Sequence, residues 1–315
     1  MGKGLIHIKA KIPVLAVCGP TASGKTALAV ELAKRFDGEV VSSDSMQIYK
    51  GMDIGTAKPT AEEMQGVVHH MLDVAEIDCN FSVSDYCRMA HKIIADIHSR
   101  GKLPVIAGGT GLYVDSLLND IDFNSGESDR SVRLKYENTD AAELHALLQK
   151  LDPEAAAEIH MNNVKRVIRA LEHIEITGEK FSQYKKKAAS GESRYNPLIL
   201  FIDWDREELY KRINLRVDIM VKEGLLDEAR RIYDAGCDRS LTSMCAIGYK
   251  ELFEYFDGNL TLDEAIDSIK QNSRRYAKRQ LTWFRRNERL CRLNANENLT
   301  ETASEKVEKW LEEQN

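Results

Sequence analysis

Residues 13–26, Pro-Val-Leu-Ala-Val-Cys-Gly-Pro-Thr-Ala-Ser-Gly-Lys-Thr, carry the clearest chemical signal in the chain. Gly19 and Gly24 bracket four residues and Lys25-Thr26 follow, the G-x-x-x-x-G-K-[ST] spacing of a phosphate loop. Glycines let the backbone curl until successive N–H groups point inward at an anion, and the following helix adds partial positive charge at its N-terminus. Lys25 can then reach an outer phosphate, and the Thr26 hydroxyl can ligate Mg²⁺. Gly19, Thr21, Ala22, Ser23, Gly24, Lys25 and Thr26 form the expected diphosphate-binding set. The motif specifies a di- or triphosphate without saying which.

Other residues could supply chemistry around that anion. Asp44, in Asp-Ser-Met-Gln-Ile-Tyr at 44–49, could take a proton from an incoming nucleophile or accept a hydrogen bond from an amine. Taken alone it reads first as an ordinary loop aspartate. Thr110, after Gly108-Gly109, could offer a hydroxyl to a diphosphate oxygen. Arg212 and Arg216 lie one helical turn apart, and a planar guanidinium suits a phosphate whose charge grows as a bond breaks. Without context they are equally a solvated basic face. Gly51–Pro59 is a glycine- and lysine-bearing loop able to close over a ligand, or simply a turn. His69-His70 resembles a metal pair, but adjacent imidazoles share neither a helix face nor a strand face.

Strands and helices must position these groups. Val14–Cys18, Glu39–Ser42, Leu103–Ala107 and Leu198–Ile202 are short apolar strands. Helices are expected at Thr26–Arg35, Ser82–Ser99 and Leu112–Leu118. This alternation predicts a parallel sheet covered by helices, with ligands beyond the carboxyl ends of its strands. From Asn119 to Tyr195 the texture becomes helical, at Ala141–Lys150, Pro153–His160 and Val164–Ile176. Asn124–Arg130 is polar and turn-rich, and Lys185–Lys187 with Ser190-Gly191 suggests an exposed linker. After Leu198–Ile202 everything is expected to be helical: Arg206–Val221, Leu225–Asp234, a long helix near Leu262–Arg286, and a peripheral helix within Asn294–Asn315. The fold class is therefore α/β, a P-loop NTPase-like sheet formed by residues 1–118 and 196–315, with an all-helical insertion at 119–195.

The chain has 315 residues, 43% hydrophobic and 30% charged, as expected of a soluble globular protein. No apolar run approaches a membrane span, and residues 1–11 lack the apolar core of a secretion signal. Ile6 stands where a myristoylation signal wants Ser or Thr. The six cysteines form no C-x-x-C pair and suit free thiols in a reducing cytoplasm. Net charge is −6, yet Lys270–Arg292 holds nine basic residues against Glu288 alone, which points to a localised polyanion site. Tyr276, Arg279, Gln280 and Trp283 share one face of that helix, and aromatics between arginines suit stacking on unpaired bases. The aromatics are also compatible with the core face of an amphipathic helix.

Taken together, Gly-Pro-Thr-Ala-Ser-Gly-Lys-Thr at 19–26, Asp-Ser-Met-Gln-Ile-Tyr at 44–49, Asp-Ile-Gly-Thr-Ala-Lys-Pro at 53–59 and His-His-Met-Leu-Asp at 69–73 resemble the tRNA dimethylallyltransferases. So do Gly-Gly-Thr-Gly-Leu-Tyr at 108–113, Arg-Val-Ile-Arg-Ala-Leu-Glu at 166–172, Ala-Ile-Gly-Tyr-Lys-Glu at 246–251 and Ala-Lys-Arg-Gln-Leu-Thr-Trp-Phe-Arg at 277–285. The resemblance runs the length of the chain in order. It implies transfer of a dimethylallyl group from dimethylallyl diphosphate to N6 of the adenosine 3′ to the anticodon, in tRNAs reading codons that begin with U. It implies Mg²⁺ as cofactor and a catalytic set of Asp44, Thr110 and Arg216, Asp44 being the base and Gln47 reading a base edge. The implied tRNA contacts are Asp44, Ser45, Met46, Gln47, Lys165, Arg166, Val167, Ile168, Arg169, Arg275, Arg279 and Trp283, gripping the anticodon stem-loop around a base flipped from its stack. A cytoplasmic monomer is expected. Asn163 replaces the family's usual Asp, and residues 120–143 look shorter and more acidic than usual. Three rivals stay open: a small-molecule kinase with Asp203 positioning Mg²⁺, a prenyltransferase acting on free adenine nucleotide, and a non-enzymatic RNA-binding protein.

Overall fold

The computed structural model describes residues 11–121, 130–190 and 192–314. Six strands form one parallel sheet: β1 (Ile12–Cys18), β2 (Gly38–Ser42), β3 (His69–His70), β4 (Leu103–Gly108), β5 (Tyr195–Asp203) and β6 (Leu290–Asn294), in the order β3-β2-β4-β1-β5-β6. β1 lies centrally, and Cys18 is level with both Gly108 and Phe201. The loops leaving β1, β2 and β4 therefore open at the same edge, as sheets of this topology require. The continuous burial of Val14–Cys18 reflects a strand covered on both faces.

Leu15, Val17, Val40, Val105, Leu200 and Ile202 pack under the helices Lys25–Arg35 and Leu299–Glu312. Tyr86 stacks on Tyr113 with ring centroids 4.5 Å apart, linking the helices Val83–Ser99 and Gly111–Leu118. Val83–Ser99 starts with a capping box between Ser82 and Asp85, the signal its sequence carries. A second core joins Ile48 and Met52 to Val217, Leu225, Leu252 and Ile269, so helices 206–222, 225–234, 249–256 and 262–284 build over the carboxyl edge.

Two strands escape the sequence reading. β3 is two residues long, and β6, Leu-Cys-Arg-Leu-Asn, is short and interrupted by Arg292; neither is an apolar run. The long helix ends at Phe284. Only Lys270, Arg274, Arg275, Lys278 and Arg279 of the nine basic residues therefore lie on it. Arg292 sits in β6 and pairs with Asp203 at 2.9 Å.

Residues 119–193 form a separate compact unit; Arg194 belongs to the other unit, and Tyr195 begins β5. Its helices are 130–137, 141–151, 153–158, 164–177 and 181–190. Leu144, Leu148, Ala155, Val167, Ile168 and Leu171 make its core. The expected linker at Lys185–Lys187 is instead helical. Its lysines pair with Glu158, Glu154 and Glu179, and Tyr184 packs 4.5 Å from His173. Within Asn124–Arg130, residues 124–129 lie outside the described residues, and Arg130 begins the first helix.

Candidate active site

Phosphate-loop geometry follows from its residues. Gly24 has φ 90° and Ala22 φ 62°, turning the loop back on itself. A Cβ on Gly19 would sit 2.6 Å from Ser23 Oγ. Three side chains brace the loop from outside. Trp204 Nε1 donates to the Ser23 carbonyl at 3.0 Å, and Arg212 Nε donates to the Ala22 carbonyl at 2.9 Å while its guanidinium lies 4.5 Å over the Trp204 ring. Gln280 Oε1 accepts from the Thr21 N–H at 2.9 Å. Lys25 Nζ rests against the Pro20 carbonyl at 3.4 Å. Burial first, and then the neighbouring Arg216 charge, bring the Lys25 pKa down to about 8.

Two cavities meet at Arg216. One, of about 660 Å³, is lined by Gly24, Lys25, Thr26, Lys58, Arg212 and Arg216. The other, of about 270 Å³, has Asp44, Ser45, Tyr276 and Arg279 among apolar walls that include Ile213, Val217 and Met220. Ala57, Arg216 and Met220 line both. Asp44 Oδ1 accepts the Met46 N–H at 2.9 Å, which fixes the carboxylate's orientation. Its charge favours the protonated forms of Lys25 and Arg216, although burial still lowers the Arg216 pKa. A chamber that places Lys25, Lys58, Arg212 and Arg216 around the phosphate loop, with Asp53, Glu62, Glu63 and Glu223 also on its wall, thus adjoins a smaller one containing Asp44, with the Arg216 guanidinium between them.

Thr110 lies on the Asp44 side. Its Oγ1 accepts the Ser45 N–H at 3.2 Å, and it lines neither cavity, so the hydroxyl expected to meet a diphosphate oxygen instead holds the Asp44 loop. Burial pushes the Tyr276 hydroxyl up to about 12. Of the two readings of this helix face, the structure gives each aromatic its own environment. Tyr276 lines the smaller cavity, whereas Trp283 covers Gly111 and donates to Asp115 Oδ2 at 2.6 Å, part of its ring staying exposed. Arg275, Lys278 and Arg279 are exposed on the same helix.

Several expected contacts need correction. The Gln47 carboxamide is engaged within the protein: Oε1 accepts from Ser42 Oγ, and Nε2 donates to the Thr56 and Ala57 carbonyls. It braces the 53–58 loop instead of presenting a free edge to a base. Val167 and Ile168 are buried in the insertion's core, because they occupy the apolar stripe of helix 164–177. Arg169 pairs with the fully buried Glu172 at 3.0 Å. Lys165 and Arg166 are the exposed members of that run. Asp203, the kinase-like aspartate, bonds Arg292 and lines neither cavity. His70 bonds Glu39 and His69 bonds the Val67 carbonyl.

The 53–58 loop that walls both cavities depends on a residue the sequence reading passed over. Buried Glu228 accepts the N–H groups of Asp53, Ile54 and Gly55 at 3.0, 2.9 and 2.9 Å and the Tyr249 hydroxyl at 2.6 Å. A Cβ on Gly55 would meet the Tyr249 ring at 2.6 Å. Lys58 closes the loop against Asp53 and Asp73 at 2.6 and 2.5 Å. The available signal was an acid at i+3 within the apolar stripe Leu225, Ala229, Ile232.

Among the described residues no cluster of His, Cys, Asp or Glu is arranged to hold a metal, and no helix is long and apolar enough to cross a membrane. Thr26 therefore offers a single protein oxygen, a donor set that fits Mg²⁺ completed by phosphate oxygens and water.

The family model described as IPP transferase matches residues 47–287. The chain is similar to the tRNA dimethylallyltransferase of Halalkalibacterium halodurans, with 51% identity over 87% of this chain and 88% of the relative. That of Bacillus subtilis is also 51% identical, with the same coverage. Among solved structures, a full-length tRNA isopentenylpyrophosphate transferase from Bacillus halodurans superposes with TM-score 0.73 at 46% identity, covering 96% of this chain and 97% of that one. A eukaryotic dimethylallyltransferase acting on tRNA superposes with TM-score 0.83 at 29% identity, covering 93% of this chain and 77% of that one. With a phosphate loop facing Asp44 across a shared arginine and these matches along most of its length, the chain belongs to the IPP transferase family.

Proposed function

We propose that the protein transfers a dimethylallyl group from dimethylallyl diphosphate to N6 of the adenosine 3′-adjacent to the anticodon, in tRNAs reading codons that begin with U. The observation that carries this reading is the pair of cavities joined at Arg216. Diphosphate would sit in the larger chamber at the phosphate loop, against Lys25, Thr26 and Arg212. Adenine belongs beside Asp44, with the five-carbon group between them along the apolar walls.

In the reaction the bond from the allyl C1 to the diphosphate oxygen breaks, and a C1–N6 bond forms. N6 is a weak nucleophile because its lone pair is delocalised into the ring, so Asp44 accepts the N6 proton as that bond forms. Arg216 and Lys25 hold the charge that accumulates on the departing diphosphate. Bound Mg²⁺, held by Thr26, would add charge neutralisation at the same oxygens. Tyr276 walls the Asp44 side, and Thr110 holds Ser45 beside Asp44.

The target base must leave its stack to enter a chamber of this size. Exposed Arg275, Lys278 and Arg279 beside the cavity, and Lys165 and Arg166 on the insertion, are suited to phosphate contacts from the anticodon arm. The kinase reading is disfavoured because Asp203 is paired with Arg292.

The test is incubation with labelled dimethylallyl diphosphate and either unmodified tRNA or AMP, followed by nucleoside analysis. Label in N6-(dimethylallyl)adenosine from tRNA alone is expected; label appearing only with AMP contradicts the acceptor. Asp44→Ala should lower kcat by on the order of 10²-fold or more while diphosphate still binds. Unchanged turnover would remove Asp44 from the chemistry.

A further inference from the structure

The basic helix 262–284 does more than present arginines to solvent. On its inner face, opposite Arg275 and Lys278, Gln280 is only 5% exposed and reaches two loops at once. Its Oε1 accepts the Thr21 N–H of the phosphate loop at 2.9 Å, and its Nε2 donates to the Gly109 carbonyl at 2.9 Å. Tyr276 lies one helical turn before Gln280 on the same helix and lines the smaller cavity. One carboxamide therefore fixes the loop leaving β1 relative to the loop leaving β4.

The fit leaves no slack. A Cβ on Gly109 would sit 2.3 Å from Gln280 Nε2 and 2.9 Å from the Gly19 carbonyl. The two loops can approach this closely only because residue 109 has no side chain. The amide is matched to its surroundings in both senses: one loop offers a donor and the other an acceptor. Neither Glu as a carboxylate nor an apolar residue satisfies both.

We propose that Gln280 is a positioning residue for the transfer reaction, setting the phosphate loop against Thr110 so that leaving group and acceptor align. This rests on the prenyl-transfer reading above. Gln280 itself touches neither reactant. Loss of its two hydrogen bonds frees the start of the phosphate loop, and a displacement of ~1 Å there is enough to lower turnover by up to about 10²-fold.

The experiment compares the whole protein with Gln280→Met and Gln280→Glu. Inorganic diphosphate with Mg²⁺ is titrated calorimetrically between pH 5.5 and 8.5. Affinity for an anticodon stem-loop RNA, melting temperature, and kcat and KM are measured alongside. Gln280→Met is expected to bind diphosphate roughly tenfold more weakly, the loss of about one well-formed hydrogen bond. Its RNA affinity should stay within about twofold, because the outer face of the helix is untouched. Gln280→Glu carries the sharper signature. Ionised, it sets a carboxylate oxygen against the Gly109 carbonyl; protonated, it can donate there and still accept from Thr21. Its diphosphate affinity relative to wild type should therefore recover as pH falls.

A Glu variant whose deficit is the same at all pH values, or a Met variant binding diphosphate like wild type, overturns the proposal. So does a parallel loss of RNA affinity, which would mean that the helix as a whole had shifted. The diphosphate titration judges the brace whether or not the wild type prenylates tRNA, so the two claims fail separately.

Discussion

Lys25 offers the most exposed prediction, because the structure makes it both necessary and costly. Its ordinary pKa of 10.5 falls to about 8 in the empty site, through burial and then through repulsion from Arg216. At about 1.36 kcal/mol per pH unit, with a discount because part of the side chain reaches solvent, its charge costs the empty protein about 2–3 kcal/mol. The folded pKa lies below the unfolded one. The cost is therefore full below pH 8, shrinks as pH rises, and is gone above 10.5. Lys25→Met removes the charge and keeps most of the volume. At pH 7 it should raise the melting temperature by about 4–6 °C, given the size of the sheet-bearing unit.

The same substitution should abolish the stabilisation that inorganic diphosphate with Mg²⁺ gives the wild type. Thermal unfolding of both proteins from pH 7 to 10.5, with and without diphosphate, is the assay. In the wild type, diphosphate affinity should also decline above pH 8 as Lys25 loses its proton. If Lys25→Met melts at or below the wild type at pH 7, or if the difference between them does not narrow with pH, the reasoning is wrong. Such a trade of stability for binding is common where a site assembles like charges before its ligand arrives.

Other outcomes follow from the same contacts. Glu228→Ala leaves three part-buried N–H groups and the buried Tyr249 hydroxyl without their acceptor and should destabilise the fold by about 2–3 kcal/mol, seen as an earlier urea midpoint. Glu228→Gln should lose less; equal losses would show that the charge, and not the acceptor geometry, matters. Lys278→Gln with Arg275→Gln should weaken RNA binding and lower the slope of log affinity against log salt by roughly two, and an unchanged slope would exclude that face from phosphate contact. Asp203→Asn should leave turnover near wild type, since Asp203 serves the Arg292 pair; a loss of Mg²⁺-dependent activity of about 10²-fold would revive the ATPase-like role.

What the sequence determined on its own is local or ordered along the chain. The phosphate loop could be read directly, because the backbone curl, the lysine reach and the helix start all lie within eight consecutive residues. The helix Val83–Ser99 was legible from its Ser82 cap and its apolar spacing. β3 and β6 were not, because edge strands this short or this polar are defined by the neighbour they pair with. Tertiary structure alone decided which side chains are available. Val167 and Ile168 lie between basic residues in sequence but inside the insertion's core in space. Gln47 is taken up by the 53–58 loop, and Arg292 by Asp203. It also decided that Glu228 and Gln280, unremarkable as letters, brace the walls of the site. A residue's chemistry is written in its type, but its freedom to act depends on which donors and acceptors the rest of the chain brings within about 3 Å of it.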